Sequence, residues 1–186
     1  MRASPEKQSK YVITGGPNAG KTSVIDLLSR EGYPVLSETS RIVIEVKGIM
    51  PWDNQELFCE EFRKMQIARE KKLMGKVSFL DRSLVDPVAY AELDGCRINP
   101  LIYENIEQAG YERDVFLFEM LPEYQTDSQR MESLQLALAV HQRMREVYDR
   151  LGFRVIDVPL FSPHENESKK MRLGFILSIV ASRESH

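Results

Sequence analysis

The feature that most constrains the fold is the glycine-rich stretch GGPNAGKT at residues 15–22. It fits the pattern G-x-x-x-x-G-K-[ST] and follows an apolar segment, Tyr11 to Thr14, that predicts a buried strand. The next residues, Lys21 to Arg30, have the pattern of a helix that Gly32 would end. A glycine-rich turn that matches by chance is the alternative, but the order of strand, loop and helix favours a phosphate-binding loop.

The residues of this loop indicate how a phosphate would be held. Glycines leave room for backbone N–H groups to converge on an anion, and the following helix directs its positive N-terminal dipole at the same place. We therefore predict an ATP site with Mg²⁺, in which Lys21 meets the outer phosphates and the Thr22 hydroxyl binds the metal. The predicted cofactor-binding residues of the loop are Gly15, Gly16, Pro17, Asn18, Ala19, Gly20, Lys21 and Thr22.

A second metal ligand is predicted at Asp81. This carboxylate follows the apolar strand Val77 to Leu80, and open α/β sheets bind ligands at the carboxyl ends of their strands. Asp81 would hold magnesium directly or through water. Its other interpretation is the cap of the next helix.

Strands and helices alternate along the chain, which predicts a parallel sheet covered by helices on both faces. The expected strands are 11–14, 33–36, 77–80, 114–119 and 154–158. Asp53 and Glu56 form a plausible capping box for a long helix that runs to about Met74. With 186 residues, 42% of them hydrophobic, the chain is expected to form a single domain over 1–186, with 1–9 as a flexible lead.

Composition excludes several classes of protein. The formal net charge of −3 gives no global attraction to nucleic acid, and Cys59 and Cys96 lack the spacing of a zinc site or a disulfide framework. The start of the chain lacks the apolar core of a signal peptide. The longest apolar run, 173–181, is shorter than the ~20 residues that span a membrane. We expect a cytoplasmic protein without a nucleic-acid partner, and its oligomeric state stays open.

The residue after Asp81 narrows the type of nucleotide-binding protein. A motor ATPase usually has a second acid there, whereas this chain has Arg82, and it lacks the Asn-Lys-x-Asp signature of guanine-specific switches. Asp81-Arg82-Ser83 resembles the Asp-Arg motif of thymidylate kinases and deoxynucleoside kinases. The resemblance implies that Arg82 contacts the transferred or the acceptor phosphate. The alternative is a surface ion pair, which stabilises a protein by ~0–1 kcal/mol.

The whole layout resembles a small family of P-loop proteins known as AAA domains, and the ribosylnicotinamide kinase domain of bacterial NAD regulators. The resemblance implies a P-loop NTPase three-layer sandwich with a five-stranded parallel sheet of order 2-3-1-4-5. Besides the phosphate loop and Asp81, it rests on Glu38-x-x-Arg41, Tyr111-x-x-Asp114 and Asp127-x-x-Arg130.

The resemblance also implies roles for individual residues. Glu38 would act as general base on the acceptor hydroxyl, with Arg41 orienting the substrate or Glu38. The alternative is that Glu38 only pairs with Arg41 in the first turn of a helix. Arg130 would be a lid arginine that stabilises the transferred phosphoryl group, or else a solvated surface residue. Pro159 and Leu160 would pack on the adenine, or simply form a turn.

Three further side chains are predicted from local pattern alone. Trp52 either covers the acceptor pocket or packs at a helix entry. Arg172 is expected on a solvated helix face, and His141 near an apolar helix stripe.

These residues favour a magnesium-dependent phosphotransferase that moves the γ-phosphate of ATP to a nucleoside, a nucleotide or another small hydroxyl compound. The alternative is a regulatory ATP- or GTP-binding protein with slow hydrolysis and a protein or lipid partner. A structural module with a vestigial loop is a third class, and it would not bind Mg-ATP.

Overall fold

The structure is a computed structural model that describes residues 8–120 and 134–184. The bounds of its helices and strands in chain order are β1 Ser9–Thr14, α1 Lys21–Arg30, β2 Val35–Leu36, α2 Thr39–Lys47, α3 Gln55–Glu70, β3 Val77–Asp81, α4 Asp86–Asp94, α5 Leu101–Ala109, β4 Tyr111–Phe118, α6 Leu134–Arg150, β5 Arg154–Val158 and α7 Glu165–Glu184.

The strands of the described residues form one parallel sheet in the order β2-β3-β1-β4-β5. This confirms the predicted α/β sandwich and its strand order. In the register of the sheet, Val12 lies opposite Leu80 on one side and Val115 on the other. The central strand β1 is therefore flanked by two strands that come much later in the chain.

Both faces of the sheet are covered by helices, because successive strand residues point to opposite sides. On one face Val12, Val115 and Leu117 pack with buried residues of α4, α5 and α6. On the other face Ile13 and Phe116 pack with residues of α1 and α7. Burial of each large apolar side chain contributes ~1.5–3 kcal/mol, so these two layers supply most of the driving force for folding.

A third apolar cluster lies between α2 and α3. Val43 and Ile44 of α2 pack against Phe58 and Phe62 of α3. Side chains of both helices line the cavity described below.

The structure corrects several predicted strand boundaries. β1 begins at Ser9, so the predicted lead of 1–9 is too long, and its residues 1–7 lie outside the described part of the chain. β2 contains only Val35 and Leu36, because the amide of Tyr33 instead donates to the carbonyl of Leu28 at the end of α1. β4 begins at Tyr111 rather than Asp114, because a register shift on β1 brings Lys10 opposite Tyr111.

The helices need fewer corrections. The cap of α3 is Asn54, whose side-chain oxygen accepts from the amide of Leu57 at 3.0 Å, so the capping box predicted at Asp53 is wrong. α3 ends at Glu70 rather than near Met74. The predicted start of the long helix near Ser128 lies outside the described residues, which show α6 from Leu134.

The carboxyl ends of all five strands meet at one edge of the sheet. The chain leaves β1 into the glycine-rich loop, β2 into Glu38, β3 into Arg82, β4 into Glu119 and β5 into Pro159. Residues far apart in sequence thus share this edge, where open α/β sheets bind their ligands. No helix of the described ranges is both long enough and apolar enough to cross a membrane.

Candidate active site

The glycine-rich loop fits closely against the end of β4. Gly15 has a φ of +139°, and a Cβ atom at this position would lie 2.8 Å from the carbonyl oxygen of Phe118. Gly20 has a φ of +75° and immediately precedes α1. Both positions need glycine because other residues rarely adopt these angles, and at Gly15 a side chain would also clash with backbone.

Lys21 is the first residue of α1 and is buried, with 3% of its surface exposed. Its Nζ donates to the carbonyl oxygens of Gly15 at 3.2 Å and Gly16 at 2.9 Å. The ammonium group therefore lies against the loop itself. There its positive charge adds to the dipole at the N-terminus of α1.

Thr22 and Asp81 meet across the gap between α1 and β3. The Thr22 hydroxyl donates to Oδ2 of Asp81 at 3.1 Å. The other oxygen, Oδ1, is buried and has no hydrogen-bond partner in the described part of the chain. Burial raises the pKa of the Asp81 carboxyl to about 6, and Glu38 adds to the rise while Lys21 opposes it.

Thr22 and Asp81 together suit a magnesium ion. The observation that supports this is the buried Asp81 Oδ1, which has no hydrogen-bond partner among the described residues. A buried carboxylate oxygen without a donor is unfavourable, and a hard cation would satisfy it. The described residues contain no group of three or more His, Cys, Asp or Glu side chains that would hold a metal by itself. One carboxylate and one hydroxyl are typical of magnesium that is bound together with substrate phosphates.

Arg82 lies at the centre of a buried ion-pair network. Its Nε donates to Oε1 of Glu38 at 2.8 Å, and its Nη1 donates to Oδ1 of Asp86 at 3.1 Å. The guanidinium carbon also lies 5.8 Å from the centre of the Tyr90 ring. Only 4% of Arg82 is exposed, so the alternative of a surface ion pair is wrong: the pair is buried.

The backbone of Arg82 has a strained conformation at the centre of this network. Its φ is +73°, in the left-handed region that non-glycine residues rarely adopt. Its amide donates to the carbonyl of Ile13 at 3.0 Å, which fixes the turn after β3 beside β1. Such strain persists only where the surrounding contacts hold it in place.

Among the described residues, Glu38 accepts hydrogen bonds from arginine and serine side chains. Besides Arg82, Ser40 Oγ donates to Oε1 at 2.8 Å and Arg41 Nε donates to Oε2 at 3.4 Å. The pairing of Glu38 with Arg41 is therefore present. It leaves the predicted role of Glu38 as general base a prediction.

Sequence analysis missed Asp86, which anchors Arg82. Its carboxylate accepts from the hydroxyls of Thr14 at 2.6 Å and Tyr148 at 2.8 Å, and from the amide of Ser83 at 2.8 Å. These groups come from β1, α6 and the turn after β3. An acid four residues after Arg82 was the one sequence signal for this pair.

Beside this network lies a cavity of about 590 Å³. Glu38, Arg82 and Asp86 line it together with Pro17 of the glycine-rich loop, so the cavity adjoins the predicted phosphate site. Trp52 lines it as well, and its role as a cover of an acceptor pocket stays a prediction. The other walls are mainly apolar side chains of α2, α3, α4 and α6, among them Ile44, Phe58, Phe62, Leu93 and Val140.

Arg172 of α7 contradicts the expected solvated helix face, because only 2% of it is exposed. Its guanidinium donates to the carbonyl oxygens of Ala19 at 2.7 Å, Glu119 at 2.9 Å and Pro159 at 3.0 Å. Burial lowers its pKa to about 10, so the group is still charged at neutral pH. Arg172 thus ties the glycine-rich loop to the ends of β4 and β5.

His141 also approaches the loop. Its Nδ1 accepts from the amide of Gly16 at 3.4 Å, and burial lowers its pKa. Sequence analysis had placed it only near the apolar stripe of its helix.

The remaining predicted residues are placed as follows. Pro159 is exposed, and the Leu160 amide donates to the side chain of Glu119 at 2.9 Å, so both residues lie at the ligand edge of the sheet. Their contact with adenine stays a prediction. Asp127 and Arg130 lie outside the described residues. Asp114 pairs with Arg154 and Arg183 at the opposite end of the sheet from the loop.

Comparison with known proteins identifies the family. The model of the family described as AAA domain matches residues 10–166, so the chain belongs to that family. A comparison with curated proteins finds no match.

Solved structures share the fold. The NadR protein in complex with NR is 18% identical with a TM-score of 0.60, over 82% of this chain and 46% of that one, so the match spans less than half of NadR. Thymidylate kinase from Ehrlichia chaffeensis is 12% identical with a TM-score of 0.63, and the match covers 93% of this chain and 99% of the kinase. Shikimate kinase from Aquifex aeolicus is 15% identical with a TM-score of 0.54, and the match covers 94% of this chain and 98% of the kinase. At these identities the likeness shows a P-loop kinase fold.

The buried carboxylate of Asp81 generates a stability prediction. A carboxyl whose folded pKa is raised from 3.8 to about 6 stabilises the fold below pH 3.8, and that contribution is lost as the pH rises through 6. Asp81→Asn should therefore raise the unfolding free energy of the nucleotide-free protein at pH 7.5 by ~1–2 kcal/mol, and by less at pH 5. Urea denaturation at both pH values measures this, with exposed Asp26→Asn as the control. A variant less stable than the wild type at both pH values would contradict it.

The contacts of Arg172 generate a second prediction. Arg172→Met removes the donor from the buried Ala19 carbonyl and from the partly buried carbonyls of Glu119 and Pro159, so the unfolding free energy should fall by ~2–4 kcal/mol. Because one of these carbonyls belongs to the glycine-rich loop, the Kd for Mg-ATP measured by calorimetry on folded protein should rise ~10-fold or more. Lys170→Met, exposed on the same helix, is the matched control. An unchanged Kd would show that Arg172 supports the fold without positioning the loop.

Proposed function

We propose that this protein is a magnesium-dependent phosphotransferase that moves the γ-phosphate of ATP to the hydroxyl group of a small molecule, either a nucleoside, a nucleotide or another alcohol. The observation that carries the proposal is the shared wall between the glycine-rich loop and the 590 Å³ cavity at Pro17. A phosphate held in the loop would lie next to a compartment large enough for a small ligand.

The loop supplies the nucleotide side of the reaction. Lys21, already against the loop, would contact the outer phosphates, and Thr22 with Asp81 would hold magnesium. When bound, the metal neutralises the developing charge of the phosphates. Pro159 and Leu160, at the exit of β5, are proposed to contact the adenine.

Glu38 supplies the acceptor side. In the proposed step its carboxylate takes the proton of the acceptor hydroxyl while the acceptor oxygen bonds to the γ-phosphorus. The bond from that phosphorus to the β-phosphate oxygen breaks, and ADP leaves. Arg82 and Arg41, which both donate to Glu38, would keep the carboxylate at the cavity wall, and Arg82 or Arg130 would contact the transferred group.

The structural neighbours support the acceptor class. One is NadR in complex with NR, and another is a thymidylate kinase, so a nucleoside-like acceptor is the first choice for this chain. A small-molecule kinase of this type would act in the cytoplasm. The regulatory alternative predicts nucleotide turnover that no acceptor accelerates.

A coupled assay of ADP release across a panel of nucleosides, nucleotides and other alcohols tests the proposal. We expect turnover that depends on an acceptor. Glu38→Gln should lower it by ~10²–10⁴-fold, with exposed Glu45→Gln as the matched control. Lys21→Ala should abolish the stabilisation by Mg-ATP, which is ~2.7 kcal/mol at 100 times the Kd.

Thermal denaturation of each variant shows whether it is folded. Turnover of the wild type that no acceptor accelerates would favour the regulatory protein. Acceptor-dependent turnover of folded Glu38→Gln at the wild-type rate would show that Glu38 is not the general base. Absence of any stabilisation by Mg-ATP would overturn the proposal.

A further inference from the structure

The cavity beside the glycine-rich loop has an unusual charge for a site that would receive a phosphorylated acceptor. Among the described residues, its charged lining side chains are Glu38, Asp53, Asp86 and Asp94 against Arg41 and Arg82, which gives these residues a formal net charge of −2. Sites that bind phosphate groups present an excess of arginine or lysine. This lining presents the reverse.

The deeper arginine is already matched by carboxylates. Arg82 donates to Glu38 at 2.8 Å and to Asp86 at 3.1 Å, and its side chain is almost fully buried between them. An incoming phosphate would have to compete with two carboxylates that are fixed in place. Arg82 therefore contributes little positive charge to an acceptor in the cavity.

The mouth of the cavity carries two more acids. Asp53 and Asp94 are exposed, and Asp94 accepts from the side chain of Gln55 at 2.7 Å. Arg41 is the arginine on this side, and it donates to Glu38 at 3.4 Å. A phosphate monoester, which carries −1.5 to −2 charges at pH 7, would meet like charge on entry.

The walls offer apolar and aromatic surface instead. Phe58, Phe62 and Tyr90 line the cavity, and Trp52 stands half exposed beside them. Such walls suit a planar or apolar body that lies between the polar groups near Glu38 and the acids at the mouth. A ligand with an aromatic body and one hydroxyl directed at Glu38 would match this division.

We infer that the acceptor is an uncharged or cationic alcohol of nucleoside size with an aromatic or apolar body, and that it carries no phosphate group. This inference rests on the proposed function and narrows it from nucleosides and nucleotides to the first class. The excess of carboxylates in the lining is the observation that separates them.

Matched pairs of a nucleoside and its 5′-monophosphate test the inference, with each of the four common deoxynucleosides as probes. The kcat/KM from ADP release and the Kd in the presence of Mg and adenylyl imidodiphosphate are measured for both members of each pair. We expect the kcat/KM of at least one nucleoside to be about 100-fold higher than that of its monophosphate, because like charges in a binding site are strongly unfavourable.

A charge variant tests the cause of the preference. The double variant Asp53→Asn, Asp94→Asn should lower the ratio of the nucleoside kcat/KM to the monophosphate kcat/KM by about 10-fold, because it removes two carboxylates at the mouth. Asp149→Asn, exposed near the end of α6 and outside the cavity lining, should leave the ratio unchanged.

Three results would overturn the inference: a monophosphate used as well as its nucleoside, a ratio that the double variant does not change, or no binding by either member of any pair. The same protein samples are tested for stabilisation by Mg-ATP. If that stabilisation is absent, the proposed function fails as well. If it is present while monophosphates are preferred, only the acceptor class is wrong.

Discussion

The close approach of β1 to β4 at the start of the glycine-rich loop is the constraint on which the site depends. At Gly15 the chain passes so near the carbonyl of Phe118 that no side chain fits. The loop can then turn back over the carboxyl end of the sheet and lead into α1, whose first residue is Lys21. The same turn positions the helix dipole, the ammonium group and the Thr22 hydroxyl around one point.

Among the buried charged groups near that point, Arg82, Arg172 and Asp81 have three different environments. Arg82 is matched by two carboxylates, Arg172 by backbone carbonyl oxygens, and Asp81 has one oxygen without any described hydrogen-bond partner. Because burying charge is unfavourable, such groups are kept only where their contacts or a ligand compensate. The incomplete compensation at Asp81 is the physical reason to expect a cation there.

Local pattern predicts much of the fold. The bounds of α1 and β5 match the predicted ranges to the residue, because Gly32 and Gly152 lie just outside these elements with positive φ angles. β2 is shorter than its apolar run, since Tyr33 completes the end of α1. Asn54 rather than Asp53 caps α3, a choice between neighbouring residues that depends on the turn before the helix.

Some residues of the site can be predicted from local sequence and others cannot. The loop, Asp81 and the pairing of Glu38 with Arg41 come from short motifs at strand ends. Asp86, His141 and Arg172 do not, because their partners lie far away in the sequence: Arg172 reaches Ala19 across 153 positions. A charged residue in a basic run of α7 gives no local sign that it will be buried. Only the packing of α7 against the loop reveals it.

The most direct test of the account is a crystal structure of the protein with magnesium and adenylyl imidodiphosphate. We expect the β- and γ-phosphates to lie within the loop of residues 15–22, with magnesium bound by the Thr22 hydroxyl and an Asp81 oxygen, directly or through water. Phosphates bound elsewhere, or a loop that stays closed to them at saturating nucleotide, would contradict it.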